Sequence, residues 1–341
     1  MKTDDYNQDR QNSENHPKPL SDFLLIERIN QCPKLASLKS INETLSDLLD
    51  SEDSFVSQIA EVIRLDPSLT TRVLDLVNSI FFGSKDNPRI SGVEEASIFL
   101  GLNRIKELLS ATPVIEEITE LGKNVSTFPW INFWKHSIGT AILTREVLSL
   151  AEKKYEDESD YVAGLLHNLG KLILAITFPD LFQKLCKESF RDSLHAIEIE
   201  KQIIGWDHAK IGAYYLWNHH ISDEVVEAVH WHNNPGKSKE NNELASAIQV
   251  ADLLTCQLGV TGIENCVPRK NSYQSATGWK ILFGERDVVE MESIMRNLEN
   301  TLERVSRTLH GILWHYRRTH WSSRAALATL SAPIATKALT S

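Results

Sequence analysis

Gly164–Lys171 reads Gly-Leu-Leu-His-Asn-Leu-Gly-Lys, an apolar stretch with an imidazole and an amide side by side. His167 can bind a metal or move a proton, and Asn168 offers one carbonyl oxygen and two N–H donors. Val162, Leu165, Leu166, Leu169 and Leu172 recur around them at helical spacing, with Asp160 placed to cap the start. The pattern predicts one largely buried helix with this polar pair in its middle. A buried polar group without a partner costs about 1–3 kcal/mol, so something must satisfy each of the two. A metal ion would do so, and so would a closed hydrogen-bond network.

The rest of the chain must position that pair. Its 341 residues can bury one large core or two modest ones, and its composition is that of an ordinary globular protein. A formal net charge of -10 argues against a broad surface for nucleic acid, which needs clustered Lys and Arg. Cys32, Cys186, Cys256 and Cys266 have no Cys-x-x-Cys spacing, so the sequence suggests neither a structural zinc site nor a disulfide framework. Met1 to Pro19 is polar, and no run approaches the ~20 apolar residues of a membrane span, so a cytoplasmic protein without membrane contact is expected.

Residues 1–20 read as a disordered leader. Phe55, Ile59 and Ile63 then predict one helix, and Asp66-Pro67 caps a second carrying Leu69, Val73, Leu76 and Val77. Ser91 and Glu94 form a candidate capping box for a short helix ending near Gly101, with Asn103 able to cap the next through Leu109. Such a pair can be a helix-turn-helix, but Arg104 and Lys106 stand against Glu94, Glu95 and Glu107, so packing is the stronger reading. A long helix runs from Phe128 and Trp130 to Glu152, and further helices are expected at 193–204, 225–232 and 244–258. Val288, Met291, Met295, Leu298, Leu302, Val305 and Leu309 make a heptad-like seam. That seam reads as a terminal helix lying on the body, ahead of a homodimer contact through 288–309. The tail, 322–341, reads as frayed.

The motifs together carry a family resemblance. Gly-Leu-Leu-His-Asn-Leu-Gly resembles the His-Asp signature of the HD phosphohydrolase superfamily, in the form used by its HDOD ("HD-related output domain") branch, with Asn168 where the aspartate stands. Asp66-Pro67, Arg72-Val73-Leu74, Val77-Asn78-Ser79, Ile90-Ser91, Glu95-Ala96 and Leu100-Gly101 are similar to the N-terminal half of HDOD domains. Gln31-Cys32-Pro33-Lys34-Leu35 resembles their opening Leu-Pro-x-Leu-Pro motif, and Trp134-Lys135-His136-Ser137 their Phe-Trp-x-His-Ser helix. The likeness extends from about Phe23 to Gly259. It implies an all-α fold of two packed helical subdomains, the second an HD-like helical bundle. The expected division is a leader at 1–20, an N-terminal subdomain at 21–125, an HD-like subdomain at 126–260 and a C-terminal extension at 261–341.

Position by position, the resemblance maps His136, His167 and Asp252 onto the superfamily's metal-binding residues, with His208 as a further histidine. The usual His-His-x-Pro stands here as His232-Asn233-Asn234-Pro235, a second amide in a ligand's place. The candidate pocket is therefore His136, His167, Asn168, His208, His232, Asn233 and Asp252. Taken singly, each histidine reads as a satisfied interior residue, and it is their joint fit to one motif that marks a site. Asp252 is the one carboxylate in the set, which argues against two metals and leaves a single divalent ion on His136, His167 and Asp252 as the chemically reasonable cofactor. Two readings follow. The leading one is a non-catalytic regulatory protein of bacterial signal transduction that binds a protein partner or a nucleotide-like ligand. The other is a metal-dependent phosphohydrolase acting on a nucleotide or cyclic dinucleotide. A transcription factor using 94–109 is a weaker third.

Overall fold

Asp66 starts its helix as the sequence predicts. Its carboxylate accepts the Ser68 and Leu69 N–H groups at 2.8 and 3.1 Å, and Pro67 takes a first-turn position whose N–H would lack a helical partner. The computed structural model describes residues 19–32, 39–51, 55–81, 89–110, 128–155, 157–188, 190, 192–261 and 272–320. Among the described residues every regular element is an α-helix or a short 3-10 turn, so the chain is all-α.

The first half comprises α2 (Lys39–Asp50), α3 (Val56–Ile63), α4 (Pro67–Phe81) and α5 (Val93–Ser110), packed around Leu45, Ile59, Ile63, Val73, Val77, Ala96 and Ile105. Gly101, at φ 71° and ψ 163°, breaks α5 where the sequence places a helix end. The capping box expected from Ser91 and Glu94 is not made. Ser91 Oγ donates to Ser222 Oγ at 2.8 Å, the Val93 N–H donates to the Glu158 carboxylate at 3.0 Å, and Glu94 pairs with Arg64. This helix begins against the second half of the molecule and takes its cap from there.

The second half contains α6 (Trp130–Leu150), α7 (Ser159–Leu166), α8 (Leu169–Thr177), α9 (Pro179–Leu185), α10 (Ser193–Ile203), α11 (His208–Asn218), α12 (Asp223–Trp231) and α13 (Asn242–Gln257). The single helix predicted through His167 is in fact two, α7 and α8, and His167 and Asn168 are the turn between them. Asn168, at φ -100° and ψ 9°, has left the helical basin. The two pieces follow different partners. At Gly164 a Cβ would lie 2.8 Å from the Ala141 backbone on α6, and at Gly170 one would lie 1.9 Å from the His208 carbonyl oxygen on α11. Asp160 is not the cap either. The helix starts at Ser159 after Glu158, whose φ is 64°, and the Asp160 carboxylate takes a two-point bond from Arg145 at 2.7 and 3.0 Å.

The first helix, α1 (Asp22–Asn30), precedes the first half in sequence but packs on the second, against α8 and α11. Leu20 N–H bonds to the Ile204 carbonyl at 2.9 Å, and Trp206 Nε1 to Asp22 at 2.8 Å. At the other end, α14 (Thr277–Phe283) lies on α13, and α15 (Val288–His320) lies on α6 with Ile294, Leu298 and Val305 buried. That part of the heptad-like seam is occupied by the chain's own body. Expectations for residues 1–18, Pro33–Leu35, Cys266 and the tail 322–341 lie outside the described residues. Among those described, no helix is long and apolar enough to cross a membrane.

Candidate functional site

Three helix ends and two helix faces converge on a file of imidazoles. His136 comes from α6, His167 from the α7–α8 turn, His208 from the start of α11, His232 from the end of α12 and Asp252 from α13. Ring centroids are 5.3 Å apart for His136 and His167, 5.2 Å for His167 and His232, and 5.5 Å for His232 and His208. With Asn168 and Asn233 alongside, the structure brings all seven candidate residues into one contiguous cluster. The four histidines are at most 2% exposed.

Each ring is held by a bond from Nδ1. His136 Nδ1 donates to the Val260 carbonyl at 2.8 Å, His167 Nδ1 to Gly164 at 2.7 Å and His232 Nδ1 to Val229 at 2.7 Å. His208 Nδ1 faces the Glu200 carboxylate at 2.8 Å, and Glu200 also accepts the His208 backbone N–H at 2.8 Å. A carbonyl or carboxylate accepts only from a protonated nitrogen, so Nδ1 carries a hydrogen in each ring and Nε2 is turned inward. Metal-binding histidines are oriented in this way.

What meets Nε2 differs along the file. Asn168 Nδ2 donates to His167 Nε2 at 2.7 Å, and Asn233 Nδ2 donates to His232 Nε2 at 2.7 Å. The two His-Asn pairs repeat one local device. Each histidine closes a helix end, bonds back through Nδ1 to the carbonyl three residues earlier, and has its Nε2 capped by the amide that follows it. Asn233 Nδ2 also reaches His208 Nε2 at 3.4 Å. The uncapped end is at His136, whose Nε2 lies 2.9 Å from Asp252 Oδ1 and 3.3 Å from His167 Nε2.

Charge follows the same division. Burial lowers the pKa of His167, only partly opposed by Asp252, and lowers that of His232 well below the usual imidazole value with His167 and His208 beside it. Both rings are neutral near pH 7. Burial alone would raise the Asp252 pKa, but the adjoining His136 and His167 rings, His136 the nearer at 2.9 Å, outweigh it and hold the carboxyl well below its usual range. Asp252, at 16% side-chain exposure, is an anion at the open edge of a neutral, amide-lined interior.

Sequence reasoning missed three neighbours of the cluster. Glu200 orients His208 from α10, and eight residues of separation across a helix break give no spacing signal. Gln249 donates to the Asn233 carbonyl at 3.0 Å and accepts the Gly278 N–H at 2.8 Å, tying the site to α14. Cys256 lies one turn beyond Asp252, a spacing visible in the sequence that gains meaning only when α6 brings His136 beside it.

Comparison with known proteins agrees with this architecture. The HDOD domain family model matches residues 35–235. An uncharacterized protein of Treponema pallidum (strain Nichols) is 26% identical over 239 residues, which are 67% of this chain and 43% of the relative. The chain thus spans less than half the length of that curated relative. Among solved structures, the MmoQ response regulator of Methylococcus capsulatus str. Bath has a TM-score of 0.55 at 20% identity, over 67% of this chain and 88% of that one. A virulence factor of Campylobacter jejuni subsp. jejuni has a TM-score of 0.54 at 17% identity, over 84% of this chain and 100% of that one. Likeness at this identity establishes the fold.

Proposed function

The chain belongs to the HDOD domain family, and from that premise we propose that it is a non-catalytic regulatory protein, acting in signal transduction by binding a protein partner or a nucleotide-like ligand. One observation carries the reading. Both amides donate to the histidine lone pairs at 2.7 Å, so the two positions where a hydrolase of this superfamily would place anionic or imidazole ligands are closed by neutral groups. The two capped lone pairs are satisfied without an ion, and of the two carboxylates at the cluster only Asp252 faces an Nε2, Glu200 being engaged by His208 Nδ1 and its backbone N–H. The occurrence of this fold in a response regulator supports a signalling role.

The residues do fit one ion. His136 Nε2, His167 Nε2 and Asp252 Oδ1 form a triangle with edges of 3.3, 2.9 and 3.8 Å. Ligands on a tetrahedral zinc at ~2.0–2.1 Å stand about 3.3 Å apart, so this triangle is the size of one face. A bound ion would act as a Lewis acid beside Asp252. The fit favours single-metal phosphohydrolase activity as the second reading. Against it stands Asn168, whose amide hydrogen occupies the His167 lone pair.

The test is turnover. Purified full-length chain incubated with nucleotides and cyclic dinucleotides, with magnesium, manganese, zinc or ferrous ion added in turn, is expected to release no product above buffer. Catalytic turnover would overturn the proposal. In the same material Asn168→Asp, which replaces the capping amide by an anion, is expected to tighten divalent-metal binding by about tenfold or more in calorimetry.

A further inference from the structure

Cys256 borders this cluster. It lies on α13 one turn beyond Asp252, at 8% exposure, with Sγ 3.8 Å from Asp252 Oδ1. A ring nitrogen of His136, a carboxylate oxygen of Asp252 and the Cys256 sulfur all lie within 4.8 Å of one another. A buried cysteine alone is a small hydrophobe. Here it faces an anion and an imidazole whose Nδ1 is already engaged by Val260, the arrangement that leaves Nε2 for a metal.

A second observation points the same way. Asn168 is 5% exposed, and its buried Oδ1 has no hydrogen-bond partner, although the same amide touches His167. An acceptor left in this state on the residue that caps His167 would be satisfied by a cation. The competing donor set, His136 with His167 and Asp252, has one lone pair blocked by the Asn168 amide.

The geometry points to a zinc site on His136 Nε2, Asp252 and the Cys256 thiolate, a ligand set different from the histidine-carboxylate triad suggested by the motif. Nitrogen, oxygen and sulfur together select a borderline-soft ion, whereas magnesium and calcium require oxygen ligands. Ligand atoms on a tetrahedral zinc with Zn–N of ~2.0 Å and Zn–S of ~2.3 Å stand about 3.3–3.6 Å apart, and the observed 2.9 and 3.8 Å lie on either side of that range. Binding replaces the S–H bond by an S–Zn bond and releases the thiol proton to solvent. The inference rests on the reading of the pocket as a binding site with an amide-capped His167, and it names the ion and its ligands.

The test is spectroscopic and uses the full-length protein. After chelator treatment, one equivalent of cobalt(II) is expected to bind and give a thiolate-to-cobalt charge-transfer band in the near ultraviolet. The band should vanish in Cys256→Ser and persist in Cys32→Ser and Cys186→Ser. Zinc affinity in Cys256→Ser should fall by about tenfold or more. Zinc absorption spectroscopy on the unmutated protein needs no variant and should return a Zn–S distance of about 2.3 Å. Failure to bind an equivalent of either metal, or a bound metal with no sulfur neighbour, overturns the assignment. Nucleotide turnover by zinc-loaded protein that retains the sulfur signature would overturn the regulatory reading and leave the ligand set standing.

Discussion

Asn168 and Asn233 show how one atom type changes what a pocket can do. An aspartate at either position would bring an anion to a neighbouring lone pair, whereas the amide brings a hydrogen and closes it. The consequence appears in stability against pH. His167 and His232 have pKa values below the ordinary imidazole 6.5 because burial disfavours the cation, so in metal-free protein the unfolded chain binds protons that the folded chain does not. Proton uptake by the unfolded state means stability is present above about 6.5 and is lost as pH falls below it, with the depressed Asp252 adding loss at still lower pH. Urea midpoints of chelator-treated protein should therefore drop steadily between pH 7 and pH 5, and a flat profile would contradict neutral buried rings. All seven residues of the cluster were named from the sequence, through the resemblance its motifs carry. Glu200 and Gln249 were not, because their roles come from helices meeting in space.

The turn at His167 is the element on which the site depends. Apolar periodicity through Val162, Leu165, Leu166, Leu169 and Leu172 predicts continuous helix, since both halves of the stretch are buried and share one repeat. Periodicity could not show that α7 follows α6 while α8 follows α11. The two glycines in the motif were the local hint, each marking a backbone approach too close for a side chain. Gly170→Ala should accordingly push α8 from α11, because its Cβ would fall 1.9 Å from the His208 carbonyl oxygen. A loss of about 1–3 kcal/mol is expected from overpacking of this kind, read by chemical denaturation. The same variant should disturb the His208 ring resonances in NMR before it disturbs those of His136. Equal stability to the parent would mean that the two helices are not in this contact.

Across the whole molecule, the halves are joined by polar bonds set among apolar contacts. Glu158 holds Arg64 from α3 and the first N–H of α5 while preceding α7, and Arg89 reaches the Ile221 carbonyl at 2.8 Å. Asp75 on α4 meets His219 at 3.1 Å and His220 at 3.0 Å at the end of α11. Removing Glu158 leaves a half-buried guanidinium with a weaker partner and a helix N–H with none. Glu158→Ala should cost about 2–3 kcal/mol in a single unfolding transition, and a change below ~0.5 kcal/mol would show that the junction is held by apolar contact alone. That the chain is all-α was plain from its sequence. Its first helix packing on the second half was not, since α1 carries no mark of its partner beyond an amphipathic pattern. The C-terminal helices belong to this account as well. Gln249 grips the Asn233 backbone with one end of its amide and the α14 backbone with the other, so it works as a coupling rod between the pocket floor and the outer wall. Whatever re-aims Asn233 must stretch or break that rod, and a disturbance at the wall travels inward by the same two bonds.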